Sequence, residues 1–227
     1  MARKKIVFVI VEGPSDYLAL GSCLDKIFDK NTVHVEIVRC DITTEKGTSP
    51  ANILNKICSF VKKYAANNSY TKIHFQQIIH IMDMDGAFVD DRMVVEKAGI
   101  KDLIYNSNNI LCNNREKIIQ RNKQKSSVIN KLITAHSIWT IPYSAYFMSC
   151  NLDHVLYNIQ NCDDDQKEVC ARNFANNFKN NINGFKVFIA KSDFSIVGDY
   201  IASWEYIKTD THSLERHTNL GLCFPQE

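Results

Sequence analysis

No run of 18 or more apolar residues occurs in this chain, so nothing in it predicts a membrane-spanning helix. Its eight cysteines, at 23, 40, 58, 112, 150, 162, 170 and 223, form no C-x-x-C pair and none of the Cys/His spacings of a zinc site. Several fall inside apolar patterns, where a reduced cysteine behaves as a small hydrophobe, and a reducing, cytoplasmic setting is expected. The start "MARKKIVFVIVEG" is basic then apolar like a secretory signal, but the apolar run stops at Glu12 with no small-residue cleavage site behind it. There is no glycine/serine- or proline-rich linker, no internal repeat and no G-x-x-x-x-G-K-[ST] phosphate loop. A one-sided charge is missing too: 27 basic and 25 acidic side chains leave +2, too mild to argue for or against a polyanionic partner. Any basic patch must be local. What remains, 227 residues with 45% hydrophobic and 23% charged, fits one globular domain of generous size or one with an appended helical part.

The order of apolar patterns predicts an α/β fold. "KKIVFVIVEG" (4–13) is a β-branched and aromatic run suited to a strand buried on both faces. Gly13-Pro14-Ser15-Asp16 reads as a turn that starts a helix, and Leu18, Leu20, Leu24, Ile27 and Phe28 line that helix. "VHVEIVRCD" (33–41) alternates like a strand. A helix follows over 49–68, with Ile53, Ile57, Phe60 and Val61 on one face, and "FQQIIHIMDMD" (75–85) is the third strand. Strand–helix–strand–helix–strand predicts a mainly parallel, Rossmann-like sheet, whose ligands gather at the carboxyl ends of the strands. Further on, the pattern predicts a loop and helix over 106–133 and a strand over 137–150 broken near Pro142. It then gives helices from 151, over 166–181 and over 195–208, with a short strand or extended segment at 184–190. The expected organisation is a core over 1–160 with an insertion at about 90–135, and a helical C-terminal extension over 161–227 packed on it.

Chemistry first shows in "IIHIMDMDGAFVDD" (78–91), where an apolar strand runs into Asp83-x-Asp85-Gly86. Glu12 lies at the carboxyl end of a neighbouring predicted strand, so three carboxylates share one rim of the sheet. Buried strand ends seldom tolerate such a group without a cation. Two readings follow. "IMDMDG" resembles the first motif of the haloacid dehalogenase superfamily of phosphatases, which implies Asp83 as nucleophile. That motif normally ends the first strand of its core, and here two βα units precede it. The combination of "VFVIVEGPSDYLAL" with "IIHIMDMDG" resembles the TOPRIM domain of topoisomerases, primases and the OLD (overcoming lysogenization defect) nucleases. The E-G-x-x-D form, with Asp16 one turn on, is most similar to the OLD-type nucleases and the small stand-alone TOPRIM proteins of phage defence.

The TOPRIM resemblance implies a divalent-metal-dependent nuclease that cleaves phosphodiester bonds of DNA or RNA. It makes Glu12, Asp83 and Asp85 catalytic. Glu12, Asp16, Asp83 and Asp85 are then the ligand set for Mg2+ or Mn2+, with Glu12 as general acid/base or second-metal ligand. OLD relatives join this domain to an ATPase; lacking a phosphate loop, this chain would need an ATPase subunit in trans. A non-catalytic regulator acting through a partner protein stays open beside the nuclease.

Accessory candidates are Asp153 and His154, at a helix start after the fourth strand, and Lys191 as a transition-state cation; Asp153 is equally explained as a helix cap. Lys117, Arg121, Lys123 and Lys125 in the basic 115–131 segment are candidates for nucleic-acid contact, or else a solvated helix face. Asp163, Asp164 and Asp165 read as a solvated helix N-terminus, and His34, His74, His80 and His136 as structural. The 203–224 segment is expected to pack over the sheet, leaving Arg216 or His212 near the site.

Overall fold

The computed structural model describes residues 5–28, 32–37 and 41–225. Strand β1 (Ile6–Val11) leads into helix α1 (Pro14–Ile27), β2 (Thr32–Ile37), α2 (Ile53–Asn67) and β3 (Phe75–Asp83). Three short strands follow, β4 (Val94–Glu96), β5 (Ile104–Tyr105) and β6 (Ile110–Cys112), then the long helix α3 (Arg115–Ile133). The chain returns through β7 (Ser137–Ile138) and β8 (Ile141–Met148) and ends in helices α4 (Leu152–Tyr157), α5 (Asp164–Phe178), α6 (Ile182–Lys191) and α7 (Tyr200–Ile207).

The main sheet has the order β2-β1-β3-β8-β7. β2, β1, β3 and β8 run parallel, and β7 pairs antiparallel at the edge. β1 is buried along its whole length, as expected of an apolar strand covered on both faces. Its Phe8 and Ile10, with Ile78 and Met82 of β3, face α2, α3 and α7 through Ile57, Val61, Val128, Leu132 and Trp204. Its Val7, Val9 and Val11, with Ile79 and Ile81, face α1, α4, α5 and α6 through Leu20, Leu24, Val155, Phe174 and Phe185. The result is a mainly parallel α/β sheet with helices on both sides. The 161–227 part shares the core of α1 rather than building its own.

Four expectations change in detail. Residues 184–190 are helical, within α6: Asn181 caps its start by accepting from the Gly184 N–H at 2.9 Å, and Phe185 and Ile189, four apart, both bury. The last helix begins only at Tyr200, after Gly198 in a left-handed conformation (φ 120°), with Asp199 as its cap. The break near Pro142 is a tight hairpin, whose Trp139 and Thr140 both have positive φ. The insertion carries its own sheet, β4-β6-β5, over a small core of Val94, Ile110, Cys112, Ile118 and Leu214. Of the predicted strand over 33–41, residues 38–40 lie outside the described residues. No helix among the described residues is long and apolar enough to cross a membrane.

Candidate functional site

β1, β2 and β3 each deliver a carboxylate to the same rim. β1 ends into Glu12, the chain after β2 reaches Asp41, and β3 ends at Asp83 with Asp85 just beyond. These groups line a cleft of about 720 Å³. Glu12, Asp16, Asp41, Asp83, Asp85, Asp102, Asp153, Asp163 and Asp164 all contribute to its walls, and Lys167 is the lysine among the lining residues.

Local geometry fixes the inner carboxylates. Asp16 Oδ2 accepts from the backbone N–H groups of Glu12 (3.1 Å) and Gly13 (2.9 Å), so Asp16 closes the turn between β1 and α1 and sets the direction of Glu12. Glu12 Oε1 then reaches the adjacent strand and accepts from the Asp83 N–H at 3.2 Å. Asp83 Oδ1 accepts from the Leu152 N–H at 2.9 Å, at the start of α4. Beyond it, Asp85 and Gly86 turn through positive φ (51° and 67°), and Asp85 N–H donates to the Cys150 carbonyl at 2.7 Å.

Asp85 has a different set of neighbours. Its Oδ2 meets Lys125 Nζ at 2.5 Å, and the same ammonium lies 2.8 Å from Asp41 Oδ2. Asp85 Oδ1 accepts from the Tyr105 hydroxyl at 3.3 Å, while Arg121 donates to Tyr105 Oη and to the Asp85 carbonyl, both at 2.8 Å. Asp41 also accepts from the Thr43 N–H (2.8 Å) and the Thr44 hydroxyl (2.9 Å).

Electrostatics divide these acids. Burial pushes the Glu12 carboxyl well above the usual carboxylate range; Lys125 pulls it back, and Asp41, Asp85 and Asp16 add to the rise. Asp83 is raised in the same way, by burial first and then by Glu12, Asp16 and Asp85. Burial would raise Asp41 as well, but Lys125 overcomes it and holds the group below its ordinary value. Burial lifts Asp153 to about 6 and raises Asp16 as well.

Glu12, Asp16, Asp83, Asp85 and Asp153 thus come together in one cleft. Others do not join them in the expected way. The basic helix splits: Lys117 and Lys123 are exposed, whereas Lys125 is wholly withdrawn from solvent and Arg121 turns inward to Asp85, so neither presents itself to an outer polyanion. Lys123 pairs with Asp91. Lys191 is an exposed residue at the end of α6, away from the cleft lining, and His154 lies behind Asp153, its titration lowered to about 4 by burial. Arg216 donates to the Val155 carbonyl and lies over the Phe194 ring, and His212 stacks on Tyr206; neither lines the cleft. His80 is buried against the Tyr143 hydroxyl, a core role as expected.

Asp41, Tyr105 and the inward role of Lys125 were not singled out in the sequence. Asp41 had a signal, since it ends a predicted strand of a parallel sheet as Glu12 does. Lys125 had one too: with Ile118, Asn122, Ile129 and Leu132 it falls on the buried stripe of α3.

Fold and site together define an α/β protein with an acidic cleft at the carboxyl rim of its parallel strands. No family model, no curated protein and no solved structure matches the chain.

Proposed function

We propose that this chain is a divalent-metal-dependent phosphodiesterase acting on nucleic acid. The observation that carries the reading is Glu12 and Asp83, two carboxylates on adjacent strands, linked at 3.2 Å through the Asp83 amide and without an ion-pair partner among the described residues. Half-buried carboxylates in this condition favour a cation or a proton. Among the described residues no three Asp, Glu, His or Cys side chains form a ready-made cage. Magnesium needs none, since it keeps water and takes one or two carboxylates with the substrate's phosphate oxygens. Oxygen donors alone suit Mg2+ or Mn2+ rather than a softer ion. The residues therefore fit a hard cation.

Glu12 and Asp83 would hold that ion, while Asp85 already directs one oxygen to Lys125 and the other to Tyr105. A bound cation neutralises charge on the phosphodiester and makes a water molecule a better nucleophile. Asp16 keeps Glu12 aimed across the strands, and Asp153 adds negative charge to the cleft wall. Glu12, Asp16, Asp83 and Asp85 are the residues on which the TOPRIM resemblance rests. A phosphatase using Asp83 as nucleophile would want a lysine at Asp83 itself, whereas Lys125 reaches Asp85 and Asp41.

The test is cleavage of supercoiled plasmid and structured RNA with Mg2+, Mn2+ or EDTA, beside Glu12→Gln. Metal-dependent cutting that the variant loses by about a hundredfold or more supports the reading and identifies the substrate. Turnover of small phosphomonoesters through a covalent aspartyl-phosphate at Asp83 would replace it.

A further inference from the structure

The acids of the cleft fall into two halves that differ in how completely the protein satisfies them. In one half, every carboxylate oxygen has a donor. Asp41 Oδ1 takes the Thr43 N–H and hydroxyl, and Asp41 Oδ2 takes the Thr44 hydroxyl and Lys125. Asp85 Oδ2 takes Lys125, and Asp85 Oδ1 takes the Tyr105 hydroxyl. Arginine only donates, so the Arg121 contact uses a lone pair of the Tyr105 oxygen and leaves the phenol's proton for Asp85. Lys125 is fully buried, and separating it from its two half-buried carboxylates would be costly.

The other half is unfinished. Glu12 Oε1 and Asp83 Oδ1 each accept one backbone N–H, from Asp83 and Leu152. Among the described residues Glu12 Oε2 and Asp83 Oδ2 have no donor, and neither carboxylate meets an ammonium or guanidinium. Both line the cleft.

We propose that the cleft takes a single divalent cation, on Glu12 and Asp83, and that the ammonium of Lys125 stands where a second cation would otherwise be required. This rests on the metal-dependent reading above and refines it. A fixed positive charge held between Asp41 and Asp85 satisfies the two acids that a second ion would need, and repels that ion from the same place. Lys125 is thus a positioning residue: it sets the number of ions and keeps Asp85 in its left-handed turn.

The experiment is a Mn2+ titration of the full chain, followed by calorimetry for stoichiometry and by electron paramagnetic resonance for the bound ion. One Mn2+ per chain is expected, with the spectrum of an isolated ion and no exchange-coupled signal. Glu12→Gln should weaken that site at least tenfold. Lys125→Met should bind two Mn2+ with a coupled spectrum, while Lys125→Arg stays at one. If Lys125→Met does not fold, the wild-type spectrum still decides. Two coupled ions in the wild-type chain, or a folded Lys125→Met that stays at one, would overturn the single-ion inference and leave metal dependence standing. Failure to bind Mn2+ at millimolar concentration would overturn both.

Discussion

At the scale of single residues, the site is defined by which carboxylates have a cation and which do not. Asp41, beside Lys125, titrates below its ordinary value; Glu12 and Asp83, half-buried and without such a partner among the described residues, titrate well above theirs. The signs are opposite for stability. A depressed carboxylate contributes stability above its unfolded pKa, and that contribution is lost as pH falls through the folded value. A raised carboxylate binds its proton more tightly in the folded state. Stability therefore declines as pH rises from about 4, the unfolded carboxylate value, through each raised folded pKa. For Asp153 that decline ends near 6, and Glu12 and Asp83 contribute in the same direction. Glu12→Gln removes one such group while keeping its shape. In metal-free buffer we expect it to raise the unfolding free energy at alkaline pH and to change it little at about pH 4, where the native carboxyl is already protonated. Urea midpoints measured across that range check this. A variant less stable than wild type at alkaline pH would mean that Glu12 is held by interactions beyond those described.

At the scale of elements, the D-x-D turn is shaped by parts of the chain far apart in sequence. Gly86 N–H donates to the Ser213 carbonyl at 3.2 Å, and that carbonyl also receives the Cys150 N–H at 3.0 Å, so the C-terminal segment clamps the ends of β3 and β8 together. Gly86 has φ 67°, and an added Cβ would lie 2.7 Å from Leu214 Cδ2 and 2.8 Å from Ile110 Cδ1. Gly86→Ala should cost about 2–4 kcal/mol, combining a left-handed alanine with overpacking. In a double-mutant cycle with Leu214→Ala, measured by equilibrium denaturation, the coupling should account for only the Leu214 share of the packing cost. Glu12 and the aspartate pair were legible because parallel strands announce themselves as apolar runs, and an acid at the end of such a run stands out. The clamp was not, because the contact between Gly86 and Ser213 has no local pattern. Tyr105 reaches Asp85 only through a short strand of the insertion, too short for periodicity to reveal. Lys125 was legible in part: counting charge along 115–131 made it one of several surface lysines, whereas its place on the buried stripe of α3 pointed inward. The segment 184–190 misled because its apolar residues, Phe185, Val187, Phe188 and Ile189, fit a short strand as readily as a helix until Asn181 is recognised as the cap.

At the scale of the whole molecule, a chain of formal charge +2 has gathered acids into one cleft. Low-dielectric walls focus such a field, so the cleft attracts cations and repels a bare phosphate backbone. On the proposed reading, nucleic acid enters only where bound cation has reversed the local sign, and cation and substrate bind with positive coupling. Affinity for a short labelled oligonucleotide, followed by fluorescence anisotropy, should fall at least tenfold when EDTA replaces Mg2+. The outer wall offers an independent check. Asp163 caps α5 by accepting from the Gln166 N–H at 2.8 Å, and asparagine caps a helix about as well as aspartate. Asp164 is fully solvent-exposed. The double variant Asp163→Asn, Asp164→Asn therefore removes two charges from the cleft lining and keeps the helix start. If the acidic wall opposes the substrate, the variant should bind the oligonucleotide more tightly, by roughly fivefold per charge at low salt and less as salt screens the field, since each removed repulsion is worth about 1 kcal/mol near water. An unchanged affinity would place the substrate's phosphates elsewhere, away from this wall and toward the exposed lysines of α3, Lys117 and Lys123.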